Sequence, residues 1–233
     1  MKYRVTILVS YYNAARFIVH KLDNLARQSI FEDCEIILIN GGSQQNEDKY
    51  VRRFVRDHPN CMHIIFEERV TLYRAWNEGI RESTAPLICN SNADDVLSPK
   101  AVEKLAALLN KDKSAGVVFP NVYATRLPNM KWGTVGGSYI TTSPHDVIGP
   151  FAMWRRSLHD KYGMFDERLW VIGDAQWWNL LRKNKVKFRK CDDHLVIYLV
   201  GNGLERARDE QGRILRVEDA KLLNLPKGLV EGW

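Results

Sequence analysis

Apolar positions along the chain alternate between short unbroken runs and runs spaced by three and four, which predicts strands followed by helices through the first half. Val5 to Ser10 is a β-branched run, and Asn13 is placed to cap a helix through about Gln28 with Phe17, Ile18, Leu22 and Leu25 on one face. Glu35 to Ile39 reads as a second buried strand. It ends in Asn40-Gly41-Gly42-Ser43, where glycine can take positive φ and let backbone approach a ligand closely. A polar helix from about Glu47 to Asp57, a strand at Met62 to Phe66 and a helix from about Leu72 to Glu82 follow. Leu87-Ile88-Cys89, after Pro86, is a fourth strand that opens into a polar turn carrying Asp94 and Asp95. Ser98-Pro99 before AVEKLAALL then has the cap, first-turn proline and apolar spacing of a new helix. Four strands with intervening helices imply an α/β fold with a mostly parallel central sheet flanked by helices.

After a strand at Gly116 to Pro120 the alternation stops. Residues from about Thr125 to Pro150 are rich in Gly, Thr, Ser and Pro without an apolar period, and a loop of that length in a compact domain is usually functional or mobile. Order returns with GPFAMWRRSLHDKYGMFDERL, a helix from Asp174 to Lys183 and a β-like segment from His194 to Val200. The tail beyond about Gly203 is charged and mixed, and the pattern assigns it no role.

Hydrophobic residues make up 45% of the 233 positions and charged residues 27%, a globular composition. No apolar run approaches the roughly 18 residues of a membrane span, and MKYRVTILVSYYN is too short an apolar segment for a secretory signal. A soluble, cytoplasmic chain is expected, either free or peripheral to the inner membrane leaflet. The formal charge of +6 is mild, and no stretch interleaves aromatic with basic residues, so no nucleic-acid partner is expected. Four widely spaced cysteines without a CxxC pair suggest reduced, buried thiols. His145, His159 and His194 have no metal-ligand spacing.

The chemistry concentrates at Asp94 and Asp95. In open α/β sheets ligands bind beyond the carboxyl ends of the strands, and hard oxygen ligands there suit Mg²⁺ or Mn²⁺ carrying phosphates. The same acids could instead complement the dipole of the following helix without any metal. No GxGxxG follows the first strand, which disfavours a dinucleotide-binding oxidoreductase, and Ser10-Tyr11-Tyr12-Asn13 lacks the glycine and lysine that cradle a triphosphate in a nucleotidyltransferase.

Four segments in order, VTILVSYYN, EIILINGGS, LYRAWNEGI leading into LICNSNADDVLSP, and MWRRSLHDKYGMFDERLWVIGDAQWW, resemble the family 2 glycosyltransferases of GT-A fold across about Val5 to Val200. The resemblance implies one domain, with a nucleotide-sugar half over 1–98, an acceptor and catalytic half over 99–203 and an extension over 204–233. It implies that Ser10, Tyr12, Asn13, Asn40 and Ser43 lie where the family holds base and ribose, with Arg74 near the phosphates. The turn Asn92-Ala93-Asp94 takes the place of the DxD motif. Asp94, with Asp95 beside it, would then hold Mn²⁺ or Mg²⁺ against the diphosphate. Asp174 would be the general base of an inverting displacement, deprotonating an acceptor hydroxyl. Trp154, with Arg155, is expected at the acceptor site, whereas Trp177 and Trp178, adjacent on a helix, cannot both face one cleft. UDP-sugar is the default donor, with GDP- or dTDP-sugar open, and the acceptor would be a glycan or lipid-linked hydroxyl. Three departures stand out: Asn40-Gly41 where many relatives have acids, Asn92 for the first DxD acid, and Gly173 for the usual glutamate before the base. They also admit a catalytically inactive domain that binds a nucleotide or glycan.

Overall fold

Strands β1 (Val5–Tyr11), β2 (Cys34–Asn40), β3 (Cys61–Ile65) and β4 (Leu87–Asn90) run parallel in the spatial order β3-β2-β1-β4. Every residue of β1, β2 and β4 is buried, the reason these strands read as unbroken apolar runs. The computed structural model describes residues 2–134, 138–140, 148–200 and 217–223. Helices α1 (Ala15–Ala26), α2 (Asp48–Asp57) and α3 (Leu72–Glu82) connect the parallel strands. The carboxyl ends of these strands, and the loops that follow them, therefore share one edge of the sheet.

Beyond β4 the sheet is mixed, where a mostly parallel one was expected. Its further strands are β5 (Val96–Leu97), β6 (Ala115–Thr125), β7 (Ser138–Ile140), β8 (Met153–Arg155) and β9 (Lys187–Leu199), interspersed with α4 (Ala101–Lys111), α5 (Ser157–Tyr162) and α6 (Gly173–Lys183). The order continues β4-β8-β6-β9-β5, with β7 on the side of β6. β8 enters antiparallel between β4 and β6, β6 and β9 are parallel, and β5 closes antiparallel on β9. Both β6 and β9 extend beyond the segments expected from their apolar runs. β7 falls in the Gly/Thr/Ser/Pro stretch, where residues 135–137 and 141–147, including His145, lie outside the described residues. Most of the tail, 201–216 and 224–233, lies outside them too.

The sheet carries a core on each face. One joins Val5, Ile7 and Val9 to α1, α2 and α4; the other joins Leu8, Ile37 and Ile39 to α3 and α6. Helix α1 contributes more than its apolar stripe. Lys21 and Asn24, and Gln28 just past the helix end, are buried and bond the segment after β4: Lys21 Nζ donates to Ser91 Oγ and the Asp95 carbonyl, both at 2.7 Å. Asn24 exchanges two bonds with Leu97, and Gln28 Nε2 donates to the Ser98 carbonyl at 2.9 Å. The N-terminus of α1 is capped from outside. Asn13 sits at φ +48°, so its side chain does not cap the helix; Ser43, Glu47 and Gln45 accept from the N–H groups of Asn13, Ala14 and Ala15 instead.

The second core corrects the expected acceptor residues. Trp154 is 0% exposed, pairs with Ile88 and Val117, and packs against Phe165, Trp177 and Trp178. Its indole N–H donates to His159 Nε2 at 2.8 Å, and burial pulls that imidazole down to about 4, so it stays neutral and accepts. The antiparallel insertion of β8 between two strands encloses the position that looked like a strand end opening on a cleft. Arg155 is likewise structural: its guanidinium donates to the carbonyls of Ala115, Leu109 and Asp112, terminating α4. Trp177 and Trp178 are both core. Trp154→Ala is expected to lower stability in chemical denaturation by about 3–5 kcal/mol, the range for emptying a buried aromatic site; a loss under about 0.5 kcal/mol, the range for surface substitutions, would contradict the core placement.

Candidate functional site

The loop after β2 is built by Asn40. Its side-chain oxygen accepts from Gly42 N–H at 3.1 Å and Ser43 N–H at 2.7 Å, while Nδ2 donates to Asp48 at 2.8 Å. An aspartate could not make that last bond, because an ionised carboxylate donates nothing. Gly42 takes φ +88°, and a Cβ there would fall 2.3 Å from the Glu68 backbone. The expected close approach is thus to the chain's own 68–69 segment. Asn13 Oδ1 accepts from Gln44 N–H at 2.9 Å, tying the loops after β1 and β2 together. Ser10 is buried with Oγ accepting from the Trp76 indole at 3.2 Å. Tyr12, 36% exposed, has the Arg69 guanidinium 4.6 Å from its ring centroid, and the same guanidinium lies 5.1 Å from the Trp170 ring.

The acid turn stands on β4, next to β1. Ser91 N–H donates to the Leu8 carbonyl at 2.9 Å, and Asp95 N–H to the Asn92 carbonyl at 3.3 Å. Ala93 and Asp95 are buried, while Asn92 and Asp94 are half-buried. Lys21 lies beneath the turn, its ammonium pulled down to about 8 by burial and held up by Asp95 and then Asp94. That cation balances the buried Asp95 from within, which leaves Asp94 as the more accessible carboxylate. The Asn92 side-chain oxygen is buried and accepts no hydrogen bond from any described residue. The Asp94 carboxylate and the Asn92 amide oxygen are hard donors of the kind that fits Mg²⁺ or Mn²⁺. No group of three or more His, Cys, Asp or Glu able to hold a metal occurs among the described residues, so substrate oxygens would have to complete the shell.

Asp174 opens α6. Its Oδ1 accepts from Ala175 N–H at 2.8 Å and from the Tyr73 hydroxyl at 3.1 Å, and the same hydroxyl donates to the Val171 carbonyl at 2.7 Å. Burial raises the Asp174 carboxyl above its ordinary value, against the lowering effect of those two donors. Burial, then the charge of Asp174, pushes the Tyr73 phenol well up, so it remains a donor. A Cβ at Gly173 would meet the Tyr73 ring at 2.6–2.9 Å; the absent side chain is what admits the tyrosine. Tyr73 belongs to α3, whose Trp76 bonds Ser10 and whose Asn77 bonds Phe165 and Glu167. Phe165 is core, and Asp166 pairs with Arg168 in the turn. Arg74 stands exposed over the Phe66 ring at 5.5 Å.

The structure therefore gathers Ser10, Tyr12, Asn13, Asn40 and Ser43 at one sheet edge, sets the Asn92–Asp95 turn on the neighbouring strand, and links Asp174 to the first group through α3. Lys21, Tyr73, Arg69 and Trp170 were not expected in these places. Only Tyr73 left a trace in the sequence, as an aromatic one turn before Trp76 on a helix that also bears Asn77.

The profile of glycosyl transferase family 2 matches residues 6–163. An uncharacterized glycosyltransferase of Nostoc sp., alr2836, is 23% identical over 115 residues, 49% of this chain and 35% of that protein. The teichoic acid poly(glycerol phosphate) polymerase of Staphylococcus epidermidis is 29% identical over 100 residues, 42% of this chain and 14% of the polymerase. The chain thus spans well under half of either relative. Among solved structures, S. aureus TarS 1-349 in complex with UDP-GlcNAc superposes with TM-score 0.73 at 14% identity, covering 97% of this chain and 69% of that one. Mannosyltransferase PcManGT from Pyrobaculum calidifontis, in complex with GDP-Man and Mn²⁺, gives 0.72 at 19% identity, covering 97% and 66%. The fold is the expected GT-A fold.

A carboxyl raised by folding favours the protonated native form: its stabilising contribution is present below the unfolded carboxyl pKa and is lost as pH rises through the folded value. Asp174→Asn, which keeps the shape and removes the partly desolvated charge, is expected to melt higher than the wild type at neutral pH. The gap should close as pH falls toward about 4, the ordinary carboxyl range. Equal melting across that range would contradict the desolvation of the Asp174 charge.

Proposed function

Because the chain belongs to glycosyl transferase family 2, we propose that it is an inverting, metal-assisted glycosyltransferase that moves a sugar from a nucleoside diphosphate to an acceptor hydroxyl in glycan biosynthesis. The observation that carries this reading is the half-buried Asp174 carboxylate at the start of α6, held by the Tyr73 hydroxyl and the Ala175 N–H, with desolvation raising its basicity.

In this reading the loops after β1 and β2, with Tyr12, Ser10 and the Asn40 turn, hold the nucleoside. Asp94 and the Asn92 oxygen would ligate Mn²⁺ or Mg²⁺, with Asp95 and Lys21 orienting the turn from beneath. The metal, when bound, supplies Lewis acidity toward the diphosphate. Asp174 takes the proton of the acceptor hydroxyl as its oxygen bonds to the anomeric carbon, and the bond from that carbon to the phosphate oxygen breaks on the opposite face. Products are the inverted glycoside and the nucleoside diphosphate. UDP-GlcNAc in one structural neighbour and GDP-Man with Mn²⁺ in another support a UDP- or GDP-sugar donor. The acceptor is a glycan or lipid-linked hydroxyl; among the described residues no helix is long and apolar enough to cross a membrane.

A second reading, a nucleotide- or glycan-binding domain without transfer, is favoured by Asn40 and Asn92, which remove two negative charges from the site. Release of nucleoside diphosphate from a panel of UDP- and GDP-sugars with Mn²⁺ separates the two. Turnover is expected in the wild type, and Asp174→Asn should lose about 10²-fold or more while binding donor unchanged. Undiminished turnover in Asp174→Asn would remove it as the base, and no turnover with intact donor binding would favour the second reading.

A further inference from the structure

Asp219 lies in a short helical segment, 217–222, in the region to which the sequence pattern assigned no role. It is 0% exposed, and its carboxylate accepts from three consecutive backbone N–H groups 47–49 residues earlier in the chain. Trp170 N–H reaches Oδ1 at 2.9 Å and Oδ2 at 3.2 Å, while Val171 and Ile172 N–H reach Oδ2 at 2.7 and 3.0 Å. Ile172 is the residue before α6, so these donors include one that the helix itself cannot satisfy. A carboxylate is the acceptor such a row of N–H dipoles favours most.

The tie continues to the candidate base in two steps. Val171, held by Asp219 through its N–H, accepts the Tyr73 hydroxyl through its carbonyl, and that hydroxyl also bonds Asp174. On the other side of the loop the Trp170 ring meets Arg69, which also lies against Tyr12 at the nucleoside loops. The geometry points to Asp219 as a positioning residue: it fixes the 170–172 loop, and through Val171 and Tyr73 the carboxylate of Asp174, so that the 217–222 segment must be docked for transfer to be fast. This rests on the proposed role of Asp174. Asp219 itself touches neither donor nor acceptor in this scheme, so its loss should lower turnover more than donor affinity. Misplacement of a reacting group by about 1 Å is enough to cost roughly 10²-fold.

The test uses the full chain with Asp219→Ala and, because the alanine leaves three N–H groups without their acceptor, Asp219→Asn as the milder variant that retains one acceptor oxygen. Three readouts are taken: donor turnover and KM, amide hydrogen exchange at 170–172, and carbon-13 NMR titration of the Asp174 carboxyl. The expected result is roughly 10²-fold lower kcat for the alanine variant with donor KM within about twofold. Exchange at 170–172 should rise and the Asp174 titration should shift, with the asparagine variant intermediate in all three. Lower melting with kcat and the Asp174 titration unchanged would overturn the proposal. Should the wild type itself lack turnover, the proposed function fails, and exchange and titration decide this inference alone: both unchanged in the asparagine variant overturns it.

Discussion

The polar seam between α1 and the segment after β4 is the constraint on which the site depends. A two-residue strand and a turn bearing adjacent carboxylates would not hold one shape alone, since mutual repulsion and exposed backbone both favour opening. Lys21, Asn24 and Gln28 close that segment by pairing with Ser91, Asp95, Leu97 and Ser98, replacing water with fixed donors and acceptors. Each such bond contributes only about 1 kcal/mol net, but a partner left unpaired in the interior costs about 1–3 kcal/mol. The seam therefore specifies the turn more than it stabilises the protein. Its buried ammonium also counters Asp95, which lets Asp94 stand beside it without two uncompensated charges.

Helix α3 gives the second half of the site the same kind of definition. Its side chains at 73, 76 and 77 reach the start of α6, the end of β1 and the 165–167 turn respectively, so one rigid element references Asp174, the strand end that carries Ser10 and the turn before α6 together. Gly79 lets that helix lie close on the sheet, because a Cβ there would meet Ile39 and Leu8 at 2.7 and 2.8 Å.

Strands β1, β2 and β4 were legible because burial on both faces leaves unbroken apolar runs, and α3 falls where its apolar spacing put it. The Asp94 turn and the Asp174 helix start were legible because each joins a regular element to a polar turn. Other features follow from pairings that local pattern does not carry. The position of β8 between β4 and β6 decides that Trp154 is core, yet nothing near Trp154 announces its neighbours. The burial of Lys21, Asn24 and Gln28 has no local signal in the sequence, since burying polar residues needs partners that only the tertiary fold supplies. The three N–H groups that Asp219 satisfies leave no mark on side-chain chemistry. Asn40 reads as a lost acid, whereas its amide makes a bond to Asp48 that an acid could not.

The central claim is that the Asp94 turn and the adjoining loops form a nucleoside diphosphate site that needs a divalent cation. Calorimetric titration with UDP, GDP, dTDP and CMP, each with and without Mn²⁺ and repeated on Asp94→Ala, tests it most directly. One diphosphate should bind in a metal-dependent manner and lose that binding in the variant. Absence of binding by every nucleotide, or binding indifferent to both metal and Asp94, would contradict it.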